Sequence, residues 1–148
     1  MIHTADKIDL AGLVDLLEEF LQETSYNKHT KNIDRQHLYS LLVKLWHMGY
    51  VWYYKKDNKA VGILIAIREP NIWIKGKLSL KEMVLYVKEE HRNSIVAGKL
   101  FAKYCKEGDK LLEEGVIDGY TTTTMTTTAD YNLTKRGFRQ VEKLYIKD

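Results

Sequence analysis

The chain has 148 residues, of which 45% are hydrophobic and 29% are charged, and this composition predicts one globular domain spanning residues 1–148. The single cysteine, Cys105, excludes an intramolecular disulfide and a cysteine-based metal cluster, and the net charge of +3 does not by itself indicate nucleic acid binding. Because the first residues lack the pattern of a signal peptide and no apolar run could span a bilayer, we expect a cytoplasmic protein with neither a membrane contact nor a metal.

Two amphipathic helices are predicted in the first third of the chain. Apolar residues recur every three or four positions between Leu10 and Leu21, with Asp6 as the expected N-cap. Residues 24–33 lack this periodicity and indicate a loop, after which Asp34 is expected to cap a second helix that ends at Gly49. Three glutamates crowd the end of the first helix and either form a solvated face or meet a basic acceptor: Glu18, Glu19 and Glu23.

Residues 50–55 alternate and are rich in aromatic residues, which predicts a strand, and two more strands are predicted at residues 61–67 and 78–87. Asp57 and Asn58 favour a tight turn between the first two strands. Pro70 interrupts the second strand, and Ile72 to Ile74 are expected to extend the sheet briefly.

The last third of the chain predicts a long helix from about Ser94 to Leu112, ended by Gly115. A strand over residues 116–122 follows and runs into a threonine-rich loop. We expect a short helix over residues 129–136 and a final strand from Phe138 to Ile146. The order of elements therefore predicts a mixed α/β domain.

The segment from Met83 to Leu100 carries the clearest functional signal. A hydrophobic strand ends at Val87, a short charged turn follows, and a helix begins near Ser94. The unpaired N–H groups and the dipole at a helix N-terminus favour a phosphate, and the small residues Ala97 and Gly98 allow a bulky ligand to approach the backbone.

This segment resembles the acetyl-CoA signature of the GNAT superfamily of N-acetyltransferases. The matching residues are Val87, Arg92, Ala97 and Leu100, and the sequence departs from the pattern at Ile95, where the family usually has glycine. The order of elements along nearly the whole chain is also similar to this family, and the N-terminal part resembles small phage-encoded members. The resemblance implies the GNAT fold, with a mostly antiparallel twisted sheet flanked by helices.

The resemblance also implies a site for acetyl-CoA as co-substrate. Backbone N–H groups of the turn and of the first helical residues would bind the pyrophosphate, and the Val87 N–H would lie near the thioester carbonyl. Lys99 and Lys103 either reach the outer phosphates or belong to a solvated helix face. The residues that we assign to this site are Leu85, Val87, Arg92, Asn93, Ser94, Ile95, Val96, Ala97 and Lys99.

The general base is expected on the strand before the signature, where Glu82 is the nearest carboxylate. Simple alternation places Glu82 on the opposite face of the strand from Val87, so it would act as base only if a bulge reverses its direction; otherwise it is an exposed structural carboxylate. Glu23, His29 and His47 are alternative bases.

The catalytic acid is less well defined. The family's tyrosine lies four residues before a Gly-Phe pair, which here is Gly137-Phe138, and that position holds Leu133. Tyr131 is a nearby candidate, although its position alone does not make it equivalent. Glu23 and Tyr26 are the candidate residues for binding the acceptor.

These observations predict an acetyltransferase that acts on a primary amine of a small molecule or a protein. The alternative is a GNAT-like module that binds a protein or a nucleic acid without catalysis, and the aromatic segment from Tyr50 to Tyr54 would then stack on bases. An unrelated α/β domain that imitates the motif is a third interpretation. A homodimer is left open.

Overall fold

The computed structural model describes residues 1–24, 32–124, 132–143, 145 and 147. It contains five strands, β1 (Ile2–Thr4), β2 (Gly49–Lys56), β3 (Lys59–Pro70), β4 (Leu78–Val87) and β5 (Ile117–Thr121). Three helices accompany them, α1 (Leu10–Glu23), α2 (Arg35–Met48) and α3 (Val96–Glu113). Two short 3₁₀ turns cover Glu89–His91 and Leu133–Arg136. No helix in the described ranges combines the length and the hydropathy that a membrane span requires.

The five strands form one sheet in the order β1-β2-β3-β4-β5. The first four strands pair antiparallel, and β5 pairs parallel to β4. This arrangement confirms the predicted mixed fold with a mostly antiparallel sheet between helices.

The sheet separates two apolar cores, and β3 contributes to both because its side chains alternate between the faces. Ile63, Ile65 and Ile67 pack with α1 and α2, whereas Leu64 and Ala66 pack with α3. All five are buried, and burial of an aliphatic side chain of this kind stabilises the fold by about 1.5–3 kcal/mol.

The beginnings of the two N-terminal helices differ from one another. Asp34 caps α2 as predicted, because its carboxylate accepts hydrogen bonds from the backbone N–H groups of Gln36 and His37 at 2.9 and 3.2 Å. The N-cap of α1 is Asp9, so the prediction of Asp6 is wrong. Asp6 instead accepts from the N–H groups of Ile8 and Asp9 and closes the turn that precedes the helix.

Strand β1 was not predicted, because three residues are too short to establish a period. It pairs with residues 52–54 of β2 and covers that edge of the sheet. Conversely, residues 72–74 do not extend the sheet. The Asn71 side chain accepts from the N–H groups of Trp73 and Ile74, which bends the chain into a turn and leaves both side chains exposed.

The C-terminal part also differs from the prediction. The short helix is a 3₁₀ turn that ends at Gly137, whose φ of +84° lies in the left-handed region, while residues 129–131 lie outside the described residues. The predicted strand from Phe138 to Ile146 is wrong for the part that the structure describes, since residues 138–143 and 145 form no strand. Val141 and Tyr145 are exposed, so their apolar character does not reflect sheet packing.

Candidate active site at the fork between strands β4 and β5

Strands β4 and β5 are paired over less than half the length of β4. The last paired residues are Lys81 and Thr121, and β5 ends there. From Glu82 to Val87, β4 remains bonded to β3 on one side but has no strand on its other side within the described residues. The sheet therefore opens into a fork, and one edge of β4 is free there.

The backbone at this free edge presents a defined set of groups. Just beyond β4, the Lys88 N–H donates to the Val61 carbonyl of β3 at 3.0 Å. Because N–H groups alternate between the two sides of an antiparallel strand, those of Leu85 and Val87 point away from β3 and toward the fork. The Val87 carbonyl faces the same way and accepts a hydrogen bond from Arg92 Nε at 2.9 Å.

The chain then turns through Glu89–His91 and enters α3, and this turn leaves several donors unused. The N–H groups of Asn93, Ile95, Ala97 and Gly98 donate to no acceptor among the described residues. These donors and the positive end of the helix dipole meet at the end of β4. The local geometry is thus the predicted strand–turn–helix arrangement with unused donors, which we call the cradle.

Two residues of this cradle have unobstructed surroundings. Ile95 has an ordinary helical conformation, with φ of −72° and ψ of −3°, and its side chain is 62% exposed. The backbone at this position therefore does not require the glycine of the family pattern. Gly98 is exposed, and no atom lies within 4 Å of the place where a Cβ would be.

A network of charged groups ties α1 to the cradle. Arg92 forms an ion pair with Glu23, and Lys88 forms one with Glu19 at 2.8 Å. The Tyr86 hydroxyl lies between the two acids, 2.7 Å from Glu23 and 3.1 Å from Glu19. Although burial acts to raise it, the hydrogen bonds from Tyr86 and Arg92 hold the pKa of Glu23 below its usual value.

The acidic end of α1 therefore meets basic residues of this same chain. Glu18 follows the same rule, because it pairs with Arg35 of α2, which also contacts Asp15 at 2.5 Å. Glu23, expected from the sequence to face the acceptor, is held by Arg92, which the sequence assigns to the cofactor site.

Glu82 lies at the base of the fork, and a β-bulge decides its direction. Ile65 pairs with Val84 while the adjacent Ala66 pairs with Glu82, so Met83 is an extra residue in β4. The bulge places Glu82 on the α3 side of the sheet together with Val87, as the catalytic hypothesis requires.

The surroundings of Glu82 are largely dry. It is only 5% exposed, so the expectation of an exposed structural carboxylate is wrong. Its Oε2 accepts hydrogen bonds from Thr122 Oγ1 at 2.9 Å and from the Thr123 N–H at 3.3 Å. Burial raises the pKa of Glu82, and the two hydrogen bonds oppose that rise only in part.

Lys99 and Lys103 lie on the flank of α3 that faces β2. The Lys99 ammonium is 5.9 Å from the centre of the Tyr54 ring, and that of Lys103 is 5.6 Å from the Trp52 ring. Both cations are therefore held by aromatic rings on the side of α3 away from the fork.

The remaining candidates are less informative. Tyr26, His29 and Tyr131 lie outside the described residues. His47 is exposed, with its ring 4.7 Å from that of Trp46. Leu133 packs against the α3 core, so the position of the family's tyrosine carries no hydroxyl. Within the described ranges, no three His, Cys, Asp or Glu side chains lie close enough to hold a metal ion.

Several residues of the fork were not found from the sequence. The sequence predicts only the end of a strand and a loop for Thr122 and Thr123. For Tyr86 and Lys88 it predicts only a strand and a turn. Each acquires its partner through contacts between residues at least 40 positions apart in the chain. No local pattern reports such contacts.

By sequence, the chain matches no protein-family model and no curated protein. By structure, it is similar to a possible acetyltransferase of Clostridium difficile 630, with a TM-score of 0.72 and 19% identity over 100% of this chain and 96% of the other. A predicted acetyltransferase of Clostridium acetobutylicum, solved with acetyl-CoA, gives a TM-score of 0.72 at 15% identity, over 100% and 95% of the two chains.

A third similar structure is an aminoglycoside acetyltransferase from an uncultured soil metagenomic sample in complex with sisomicin, with a TM-score of 0.65 and 19% identity over 99% and 95% of the two chains. These likenesses span the whole chain at identities too low to carry over an activity. The chain has the fold of the GNAT acetyltransferases.

Proposed function

We propose that this protein is an acetyl-CoA-dependent N-acetyltransferase that acetylates a primary amine. The observation that carries the proposal is the cradle at the start of α3, where four unused N–H groups lie beside a free edge of β4. The N–H groups at the start of α3 favour an anion, and the edge of β4 favours an extended chain attached to that anion. Acetyl-CoA has that shape, with a pyrophosphate joined to a linear arm.

The residues present fit this co-substrate, which would supply an activated acetyl thioester. The N–H groups of Asn93, Ile95, Ala97 and Gly98 would hold the pyrophosphate. Those of Leu85 and Val87 would bind the arm and the thioester carbonyl, and the Val87 N–H would stabilise negative charge that develops on the carbonyl oxygen.

Glu82 would accept the proton that the amine loses. The amine nitrogen forms a bond to the acetyl carbon, the carbon–sulfur bond breaks, and the thiol part leaves. The excess proton on nitrogen passes to the Glu82 carboxylate, directly or through one water. A pKa raised by burial suits this role, because it brings the basicity of the carboxylate closer to neutral pH.

A strong acid on the sulfur side is not required for this reaction. Leu133 replaces the family's tyrosine, and an ordinary thiol with a pKa near about 8.5 leaves as a thiolate without a proton donor. Tyr131 remains a hypothesis for that role. The acceptor is an amine of a small molecule or a protein, and we expect the segment with Glu23 and Tyr26 to border its site.

The alternative of a nucleic acid-binding module is less consistent with the structure. Trp52 and Tyr53, the centre of the aromatic segment, are 1% and 6% exposed and are not available for stacking on bases. The segment is a core strand instead.

The proposal is tested by binding and by turnover. Acetyl-CoA at about 100 times its dissociation constant should stabilise the fold by roughly 2.7 kcal/mol, which a thermal melt detects, whereas ATP should not. Release of free thiol is then measured with aminoglycosides, polyamines and peptides as acceptors. Absence of any thermal shift with acetyl-CoA and CoA would refute the proposal.

A matched pair of variants at Ile95 tests the cradle itself. Ile95→Glu places a negative charge beside the unused donors and should weaken acetyl-CoA binding about tenfold, or about 1.4 kcal/mol. Ile95→Gln has the same size without the charge and should bind close to the wild-type level. Since this side chain is 62% exposed, both variants should fold normally. Equal affinities of the two variants would argue against a phosphate at this place.

A further inference from the structure

Glu82 differs from the other acids that the structure describes because it is the only one that is buried. No lysine or arginine of the described residues forms an ion pair with it. The donors that the structure shows for its carboxylate are neutral.

Both donors come from the chain that leaves β5 at the fork. The Thr122 hydroxyl and the Thr123 N–H converge on the same carboxylate oxygen, Oε2. Thr122 is the first residue after β5 ends at Thr121. The chain leaves the sheet at this point, and the Thr122 hydroxyl lies within hydrogen-bond distance of Glu82.

The other groups that pack around Glu82 do not replace these donors. From α3, the Tyr104 hydroxyl donates to the Thr121 carbonyl at 2.5 Å, and it lies 3.4 Å from the Leu80 carbonyl. From β3, the residue opposite Glu82 is Ala66, which carries no charge.

The titratable groups next to Tyr104 are engaged elsewhere. The Tyr120 hydroxyl of β5 donates to Asp109 of α3 at 2.8 Å. Cys105 is half-buried, and burial raises the pKa of its thiol. On β4 itself, Lys81 is exposed on the other side of the strand. The ionisation of Glu82 thus depends on the two donors from residues 122 and 123.

We propose that Thr122 is a positioning residue, whose hydroxyl orients the Glu82 carboxylate and sets the pH range in which that carboxylate accepts a proton. The catalytic consequence rests on the proposed function, in which Glu82 takes the proton of the acceptor amine. The physical basis is that a hydrogen bond from a neutral hydroxyl stabilises the charged form of a carboxylate more than its neutral form. Loss of the hydroxyl removes one of the two hydrogen bonds that oppose the effect of burial on the pKa of Glu82.

Four substitutions isolate the hydroxyl. Thr122→Val has nearly the same shape and favours extended structure, but it lacks the donor, and Thr122→Ala is a second variant without it. Thr122→Ser keeps the donor. Thr123→Val is the matched control, because only the backbone N–H of Thr123 bonds to Glu82 and that group is retained.

The first readout is independent of activity. The protein is labelled with ¹³C at the glutamate carboxyl carbons, and the Glu82 signal is assigned by its loss in Glu82→Gln. A titration followed by NMR should show that Thr122→Val and Thr122→Ala raise the pKa of Glu82 by about one unit. In Thr122→Ser and Thr123→Val, Glu82 should titrate over the same pH range as in the wild type. Coincident titrations of Thr122→Val and the wild type would overturn the proposal.

The second readout is the pH dependence of acetyl transfer. In Thr122→Val, the rise of kcat/KM with pH should move upward by the same amount as the titration, and most activity should return at high pH. A uniform loss at every pH would show a merely structural role and would also overturn it. Failure of the proposed function is distinguishable: the NMR titration would still shift, but Glu82→Gln would transfer acetyl groups normally.

Discussion

Glu23 at the end of α1 and Glu82 in the middle of β4 are both carboxylates beside the same strand, but their surroundings differ in charge and in burial. Glu23 has a half-exposed side chain paired with Arg92 and hydrogen-bonded to Tyr86, and its pKa is lowered. Glu82 is buried with only neutral donors, and its pKa is raised. Two carboxylates near β4 therefore differ in how they are compensated, one by a cation and one by neutral donors from residues 122 and 123.

The distinction follows from how a carboxylate is compensated. A cation stabilises the charged form so strongly that the group stays ionised and serves to hold a neighbour in place. Neutral donors in a dry environment leave the two forms closer in free energy, which is what a general base requires. We therefore propose that Glu23 anchors Arg92 and that Glu82 has the chemical role.

The different roles of Glu23 and Glu82 are tested most directly by removing the carboxylate of each acid. Glu82→Gln should lower kcat for acetyl transfer by a factor of about 100 or more, as expected for loss of a general base. Glu23→Gln should lower it by less than about tenfold, because Glu23 acts through Arg92. Steady-state kinetics with the same acceptor measures both, and the reverse order of effects would exchange the two roles.

The dependence of stability on pH should have opposite sign for the two acids. The raised pKa of Glu82 means that its contribution to stability is complete below the ordinary value of 4.5 and is lost as the pH rises through the folded-state pKa. The lowered pKa of Glu23 means that its contribution is present above 4.5 and is lost as the pH falls through the folded-state pKa.

Thermal melts between about pH 3 and pH 9 test this prediction. Relative to the wild type, Glu82→Gln should gain in Tm as the pH rises from acid to neutral, whereas Glu23→Gln should lose. Parallel curves for the wild type and Glu82→Gln would mean that Glu82 ionises in the fold as easily as in water.

The smallest expected effect concerns the ion pair itself. Because the side chains of Arg92 and Glu23 are 42% and 43% exposed, their coupling should be worth only about 0.5 kcal/mol. A double-mutant cycle of Arg92→Gln and Glu23→Gln, followed by denaturant unfolding, gives this value. Arg92→Gln alone should cost more than Glu23→Gln, since Arg92 also bonds to the Val87 carbonyl and lies over the Tyr86 ring. A coupling well above about 1 kcal/mol would show that the pair is a major support of the fold.

Patterns that are local in the chain were sufficient for most of the fold. The apolar periods of α1 and α3 and the Asp34 cap lie within a few turns of helix. The centre of β3 is a continuous apolar run, which is also recognisable as a buried strand. The same approach failed where strand-favouring residues have no partner strand. Ile72 to Ile74 lie in a turn, and in the predicted last strand Phe138 packs on the α3 core while Val141 and Tyr145 are exposed.

The parts of the site that depend on one continuous segment were predicted, and those that depend on distant contacts were not. The cradle depends on the backbone of one continuous segment, so the strand–turn–helix pattern and the family resemblance located it. The direction of Glu82 depends on one extra residue at Met83, which the alternation of β4 alone does not reveal. The sequence could state only that a bulge would be needed.

Hydrophobic periodicity and helix caps act over a few residues, so the amino-acid order alone predicted the three helices, four of the five described strands, the fold class and the strand–turn–helix geometry at the start of α3. Other features depend on contacts between residues that are far apart in the chain. They are the register between β3 and β4, the end of β5 at Thr121 and the ion pair of Glu23 with Arg92. They arose only when the sheet assembled, because burial and charge compensation depend on which surfaces meet. That assembly made one carboxylate an anchor and left the other in a dry fork beside the Thr122 hydroxyl.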